Sequence, residues 1–226
     1  MKKIIASFFI LLIISCNVGN KDQSGNKFEV TNIDNQIWMS ENLNVDKFLN
    51  GDIINEAKSL QEWNKLCYEK KPAWCYYKNK KSSGLVYGKL YNKYAVLDSR
   101  GLAPNGWRIA SKADWIKMST VLGGGSSIFV GSKMLKSKSY KSTDGVNENE
   151  NENNNYGFAA LPGGYVSESG YSGDGDCTGW FTQDSEVIFL ALNDHIAHHI
   201  KLYIEHNNFG EDNNENYGYY VRCVKN

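Results

Sequence analysis

The chain has 226 residues, with 25 Lys and Arg against 25 Asp and Glu, so its formal net charge is zero. That balance excludes a nucleic-acid binder, which needs a basic face. Fourteen tyrosines, six tryptophans, 21 glycines and only three prolines favour short strands joined by polar loops over long helices.

The first residues read as an address. Lys2 and Lys3 precede an apolar run from Ile4 to Ile14 that is too short to span a bilayer. The run ends Ile13-Ile14-Ser15-Cys16, which resembles a bacterial lipobox: cleavage before the cysteine and lipidation of Cys16 are expected. Residues 1–15 are then a signal peptide, and residues 16–26 (CNVGNKDQSGN) the lipidated cysteine and a polar tether. Residues 27–226 form one domain on this reading, with a core of adequate size. Loss of the two leader lysines leaves 23 basic against 25 acidic groups, a net charge of −2.

Within that domain, residues 27–31 (KFEVT) and 36–39 (QIWM) read as strands joined by an Asp/Asn turn. Residues 59–68 (SLQEWNKLCY) read as a helix, with Ser59 and Glu62 as a capping box and Trp63, Leu66 and Cys67 on one face. Residues 74–77 (WCYY) form a buried strand. Tyr87, Leu90, Tyr91, Tyr94 and Ala95 fall at helical spacing and predict a second helix packed by its aromatic stripe. The clearest local signal is residues 101–124 (GLAPNGWRIASKADWIKMSTVLGG). There Ser111 and Asp114 form a capping box, worth about 1 kcal/mol. Trp115, Met118 and Leu122 make the buried stripe, and Gly123 ends the helix.

The second half is looser. Residues 147–155 (NENENENNN) are low in complexity and read as a solvated loop without calcium-loop spacing. A Pro162-Gly163-Gly164 turn leads to a Gly/Asp loop over 169–179, where Asp174 and Asp176 form a DxD pair typical of turns. Strands are expected at 179–182, 186–192 and 217–224. In HIAHHIKLYIE (195–205), strand alternation puts His195 and His199 on one face and His198 on the other, so a solvated strand is favoured over zinc. Cys67, Cys75, Cys177 and Cys223 are an even set in an exported chain; up to two disulfides with three connectivities follow, and no CxxC pair suggests zinc. No metal and no cofactor is implied.

Six blocks in order, IWMSENLN (37–44), KPAWCYY (71–77), YGKLYNKYAV (87–96), GLAPNGWRIASKADW (101–115), ALPGGY (160–165) and YYVRCVKN (219–226), resemble the Fibrobacter succinogenes major paralogous domain. That domain is similar in turn to the C-type-lectin-like fold, in particular to formylglycine-generating enzymes. The resemblance implies an α+β fold with two main helices on small, twisted antiparallel sheets and long loops, with residues 36–39 near Val221. It also implies a Cys75–Cys223 disulfide, leaving Cys67 and Cys177 as a pair. The calcium tripeptides of sugar-binding lectins have no match at Pro72, Pro104 or Pro162, and Asn193-Asp194 echoes only half of the second motif. The paired reactive cysteines of the formylglycine-type enzymes are not reproduced either. The family is abundant in exported lipoproteins, in agreement with Cys16, and Asn17 gives no inner-membrane retention cue, so an outer-membrane lipoprotein, periplasmic or surface-exposed and held by its N-terminal lipid, is expected. It would carry a non-catalytic module for a glycan, peptide or envelope protein, with 143–155 and 169–178 as ligand loops. A formylglycine-type oxidoreductase and a passive envelope component are the alternatives.

Overall fold

A computed structural model describes residues 20–123, 156–192, 200–203 and 214–226. The chain opens with a hairpin, β1 (Val30–Ile33) and β2 (Gln36–Met39). Its two-residue turn places both Asp34 and Asn35 at positive φ, the conformation that suits the twist of the flanking strands. A two-residue strand, β3 (Asn55–Glu56), precedes α1 (Leu60–Tyr68). Ser59 caps that helix by accepting from the Glu62 amide, while the Glu62 carboxylate reaches back to the Lys58 amide. Strand β4 (Ala73–Cys75) is buried throughout, as the aromatic run suggests.

The stripe from Tyr87 to Ala95 does not form one helix. α2 (Lys81–Tyr87) stops at Gly88, whose φ of 80° suits glycine. β5 (Leu90–Asn92) follows, and then a single turn, α3 (Lys93–Val96), capped by Asn92. Leu90 and Tyr91 are consecutive and both fully buried, yet they enter different core clusters. Opposite facing of neighbours is strand behaviour, and burial on both faces hides the period that would have revealed it.

After β6 (Trp107–Ile109), α4 (Lys112–Leu122) forms as its capping signals require. Ser111 accepts from the Asp114 amide, and the Asp114 carboxylate accepts from the Ser111 amide at 2.7 Å. Arg108 forks onto the same carboxylate, and Gln36 of β2 donates to it at 2.8 Å. Desolvation pushes the Asp114 carboxyl up, but the hydrogen bonds from Arg108 and Ser111 outweigh it and leave the group at about 2. A depressed carboxyl stabilises the fold above its unfolded value. This contribution is complete above about pH 4 and is lost as pH falls towards 2. Because Arg108 is one-third exposed, about 1–2 kcal/mol is expected. Urea titrations at pH 6 and pH 2.5 should show that loss in the native chain, and Asp114→Asn should flatten that part of the pH dependence.

The remaining strands are β7 (Gly163–Ser167), β8 (Gly170–Asp174), β9 (Cys177–Phe181), β10 (Val187–Leu192), β11 (Ile200–Tyr203), β12 (Gly218–Val221) and β13 (Cys223–Lys225). Two sheets result. One has four strands in the order β1-β2-β13-β6, and Val224 pairs with Trp38, so the two ends of the domain meet there. The other has nine, in the order β11-β10-β9-β7-β12-β5-β4-β3 with β8 added to β7. The α+β class therefore holds, and α1 and α4 are the two longest described helices. The expectation of small antiparallel sheets does not hold: the principal sheet is large, open and mixed. Its parallel contacts are β3 with β4, β7 with β9, and β9 with β12.

Two cores flank the central strands. One gathers Trp38, Trp63, Trp115, Phe158 and Trp180 under α1 and α4. The other gathers Phe48, Trp74, Tyr91, Phe181 and Tyr219.

Candidate functional site

β12 and β13 are separated by one residue, Arg222, and they belong to different sheets. The chain crosses from the large sheet to the small one at that position. Arg222 is 1% exposed. Its guanidinium donates to the Met39 and Phe158 carbonyls at 2.8 Å, to the Ala159 carbonyl at 3.3 Å and to Asn42 Oδ1 at 2.7 Å. It also stacks over the Phe158 ring at 4.3 Å. Asn42 Oδ1 accepts a second bond from Trp180 Nε1, and Asn42 Nδ2 donates to the Tyr87 carbonyl. Burial pulls the Arg222 guanidinium down to about 9, which still leaves it charged at neutral pH. This cation is a clamp on the backbone, and it fixes the surfaces on either side.

The first surface is aromatic. Tyr217, just before β12, and Tyr219 within it stack, with rings 5.8 Å apart and 8° from parallel. Tyr165 of β7 lies 6.0 Å from Tyr217 and 5.7 Å from Tyr219. Phe189 of β10 meets Tyr165 edge-on at 6.0 Å, and Phe181 of β9 meets Tyr219 at 5.1 Å. Tyr219 and Phe181 are buried, whereas Tyr165, Phe189 and Tyr217 are half-buried. Tyr165 of β7, Phe189 of β10 and Tyr217, just before β12, are thus gathered half-buried around Tyr219 and Phe181.

The second surface is a groove of about 80 Å³ beside α2. Asp22, Asn26, Phe28, Glu41, Asn44 and Leu85 are among its walls. Behind it, Lys89 is buried, donates to Asn44 O and Oδ1 at 2.8 and 2.9 Å, and lies 4.6 Å over the Trp74 ring. The groove is much smaller than the roughly 300–1,000 Å³ of clefts that enclose a small molecule.

The blocks that build these features, from the β1–β2 hairpin to the Arg222 crossing, lie inside one continuous family match: the model of the Fibrobacter succinogenes major domain covers residues 31–225. The chain belongs to that family. Neither the curated proteins nor the solved structures contain a match to it.

In this member of the Fibrobacter succinogenes major domain family, the cysteine expectation is overturned. Cys67, Cys75, Cys177 and Cys223 are all free and buried. Cys75 lies on β4 of the large sheet and in the first core, whereas Cys223 lies on β13 of the small sheet and in the second, so the two cannot pair. Cys67 sits on α1 beside Asn92, and Cys177 opens β9, so the remaining pair is also absent. Burial raises the Cys67 and Cys177 thiols to about 11 and pushes Cys75 and Cys223 up as well. All four are held protonated, the form that neither attacks nor binds metal.

The Gly/Asp run expected to be a loop is largely the β8 strand and the turn into β9. Asp174 pairs with Lys78 at 3.3 Å, and Asp176 is exposed in the turn. Among the described residues, no three His, Cys, Asp or Glu side chains converge as a metal site. Asn193, Asp194, His195, His198, His199, the 143–155 loop and Cys16 with its leader lie outside the described residues. No described helix is long and apolar enough to cross a membrane.

Sequence reasoning did not assemble Tyr165, Phe189 and Tyr217. Their proximity depends on pairing among β7, β10, β9 and β12, which are distant in sequence. The local trace was the alternation in YGYY, which sets Tyr217 and Tyr219 two residues apart.

Proposed function

We propose that the chain is a cell-envelope lipoprotein, anchored through a lipid on Cys16, that carries a non-catalytic, C-type-lectin-like module for binding saccharide. The observation that carries this reading is the half-buried set Tyr165, Phe189 and Tyr217 over Tyr219 and Phe181. Rigid aromatic faces with hydroxyl edges suit a pyranose ring, whose C–H face packs on the ring while its hydroxyls stay in water or meet polar edges. Little side-chain entropy is lost, because the floor already orders the rings. The buried, protonated thiols argue against a formylglycine-type oxidation, which needs reactive cysteine.

The test is a glycan and envelope-polymer array probed with the whole chain in mild detergent, with calcium or with chelator. Saccharide binding that is indifferent to chelator is expected. A blank saccharide array, or binding abolished by chelator, would contradict an aromatic platform.

A further inference from the structure

The outer face of α2 is open to solvent. Leu85 is 84% exposed and Val86 57%, although the flanking residues are held firmly inward. Gly84 is buried against the Tyr76 ring, where an added methyl would fall 2.0 Å from a ring carbon, and the Tyr87 carbonyl is held by Asn42. Two aliphatic side chains are thus fixed in water beside Lys80 and Lys81, which are also exposed. That combination, aliphatic tips flanked by ammonium groups, suits a surface with an apolar interior and anionic headgroups.

The path of the N-terminal chain points to the same surface. Asp22, Asn26, Lys27 and Phe28 line one groove with Leu85 and Val86. This segment is tied down: the Phe28 amide donates to the Asn20 carbonyl at 3.1 Å, and Gln23 donates to the Lys47 and Leu102 carbonyls. Only four residue steps separate Cys16 from Asn20, a reach of at most about 14 Å. Two carboxylates, Asp22 and Glu41, also line the groove and stay charged, so the basic contribution to the face comes from Lys27, Lys80 and Lys81. Asp22 accepts from the Ser24 and Asn26 amides, and Glu41 from the Glu29 amide.

We propose that the outer face of α2, Leu85 and Val86 with Lys81, and Lys80 at the helix start, lies against the anionic lipid surface that holds the N-terminal anchor. This rests on the anchoring proposed above. The body is then not a free ball on a string, because one face is apposed to the membrane.

The test uses the full, processed chain in vesicles of phosphatidylcholine and phosphatidylglycerol that contain a photoactivatable phospholipid. Crosslinked residues are mapped by mass spectrometry, and vesicle co-sedimentation is measured on the same samples. Crosslinks are expected to concentrate in residues 80–86 and 21–28. The Leu85→Ser, Val86→Ser double variant should co-sediment as before, yet lose crosslinking in 80–86 by about tenfold. Both substitutions are on the surface, and an unchanged circular dichroism spectrum would establish that the variant is folded. Failure to co-sediment would overturn the anchoring and the apposition together. Co-sedimentation with crosslinks spread evenly, or concentrated on the β8–β9 hairpin, would overturn the apposition alone. Protection of Leu85 by a protein neighbour in place of lipid would do the same.

Discussion

Arg222→Ala is expected to lower stability by about 3–5 kcal/mol, read from urea unfolding at neutral pH. The side chain supplies donors to three backbone carbonyls and to Asn42 from a position 1% exposed. Removing it leaves these acceptors buried without their partner and opens a cavity where the two sheets meet. Arg222→Met tests the origin of the loss. It fills most of the volume and removes the cost of burying a charge, but it donates no hydrogen bond. If satisfaction of the carbonyls is what matters, Met should recover less than half of the alanine loss. Arg222→Lys keeps the charge on a single point, which cannot fork to Met39, Phe158 and Asn42 together. It should still cost about 1–3 kcal/mol.

Trp115→Ala should cost a similar amount, about 3–5 kcal/mol, and lower the midpoint of thermal unfolding by about 10 °C or more. Trp115 is fully buried, and its ring lies 5.2 Å from Trp38, 5.6 Å from Phe158 and 5.0 Å from Trp180. It joins α4 to the β1–β2 hairpin and to β9, so its loss loosens three elements at once. Trp115→Phe should cost only about 1–2 kcal/mol. The phenyl ring keeps the aromatic contacts, and it removes an indole N–H that finds no acceptor among the described residues. The near-UV circular dichroism of the Trp115–Trp180 pair should fall in both variants, which reports local packing independently of stability.

What the sequence reveals of this fold depends on how local each cause is. Ser111, Asp114 and Gly123 act within one helix, and α4 forms where they place it. The same holds for Ser59 at the start of α1 and for the Asp34-Asn35 turn. Leu90 and Tyr91 fail this test because both faces of β5 are buried, so a strand there carries no alternation and a helical period arises by coincidence. Arg222 is a different case. The block YYVRCV shows a cation within an apolar strand but not what satisfies it, since its partners come from residues 39–42 and 158–159. The number of cysteines and the family resemblance point to disulfides, and neither carries the geometry that keeps Cys75 and Cys223 in separate cores. The aromatic surface was the least legible feature, because four strands must be paired before Tyr165, Phe189 and Tyr217 become neighbours.

The proposed saccharide recognition rests on those rings. The most direct measurement is the affinity of the full chain for the best saccharide from the array, compared with Tyr165→Ala, Tyr217→Ala and the Asp174→Asn, Asp176→Asn pair. Each tyrosine variant should weaken binding by about tenfold, the loss of one stacking contact, and the aspartate pair should leave it within about twofold. Unchanged affinity in both tyrosine variants, with loss in the aspartate pair, would move the site to the β8–β9 turn and rule out recognition by the rings.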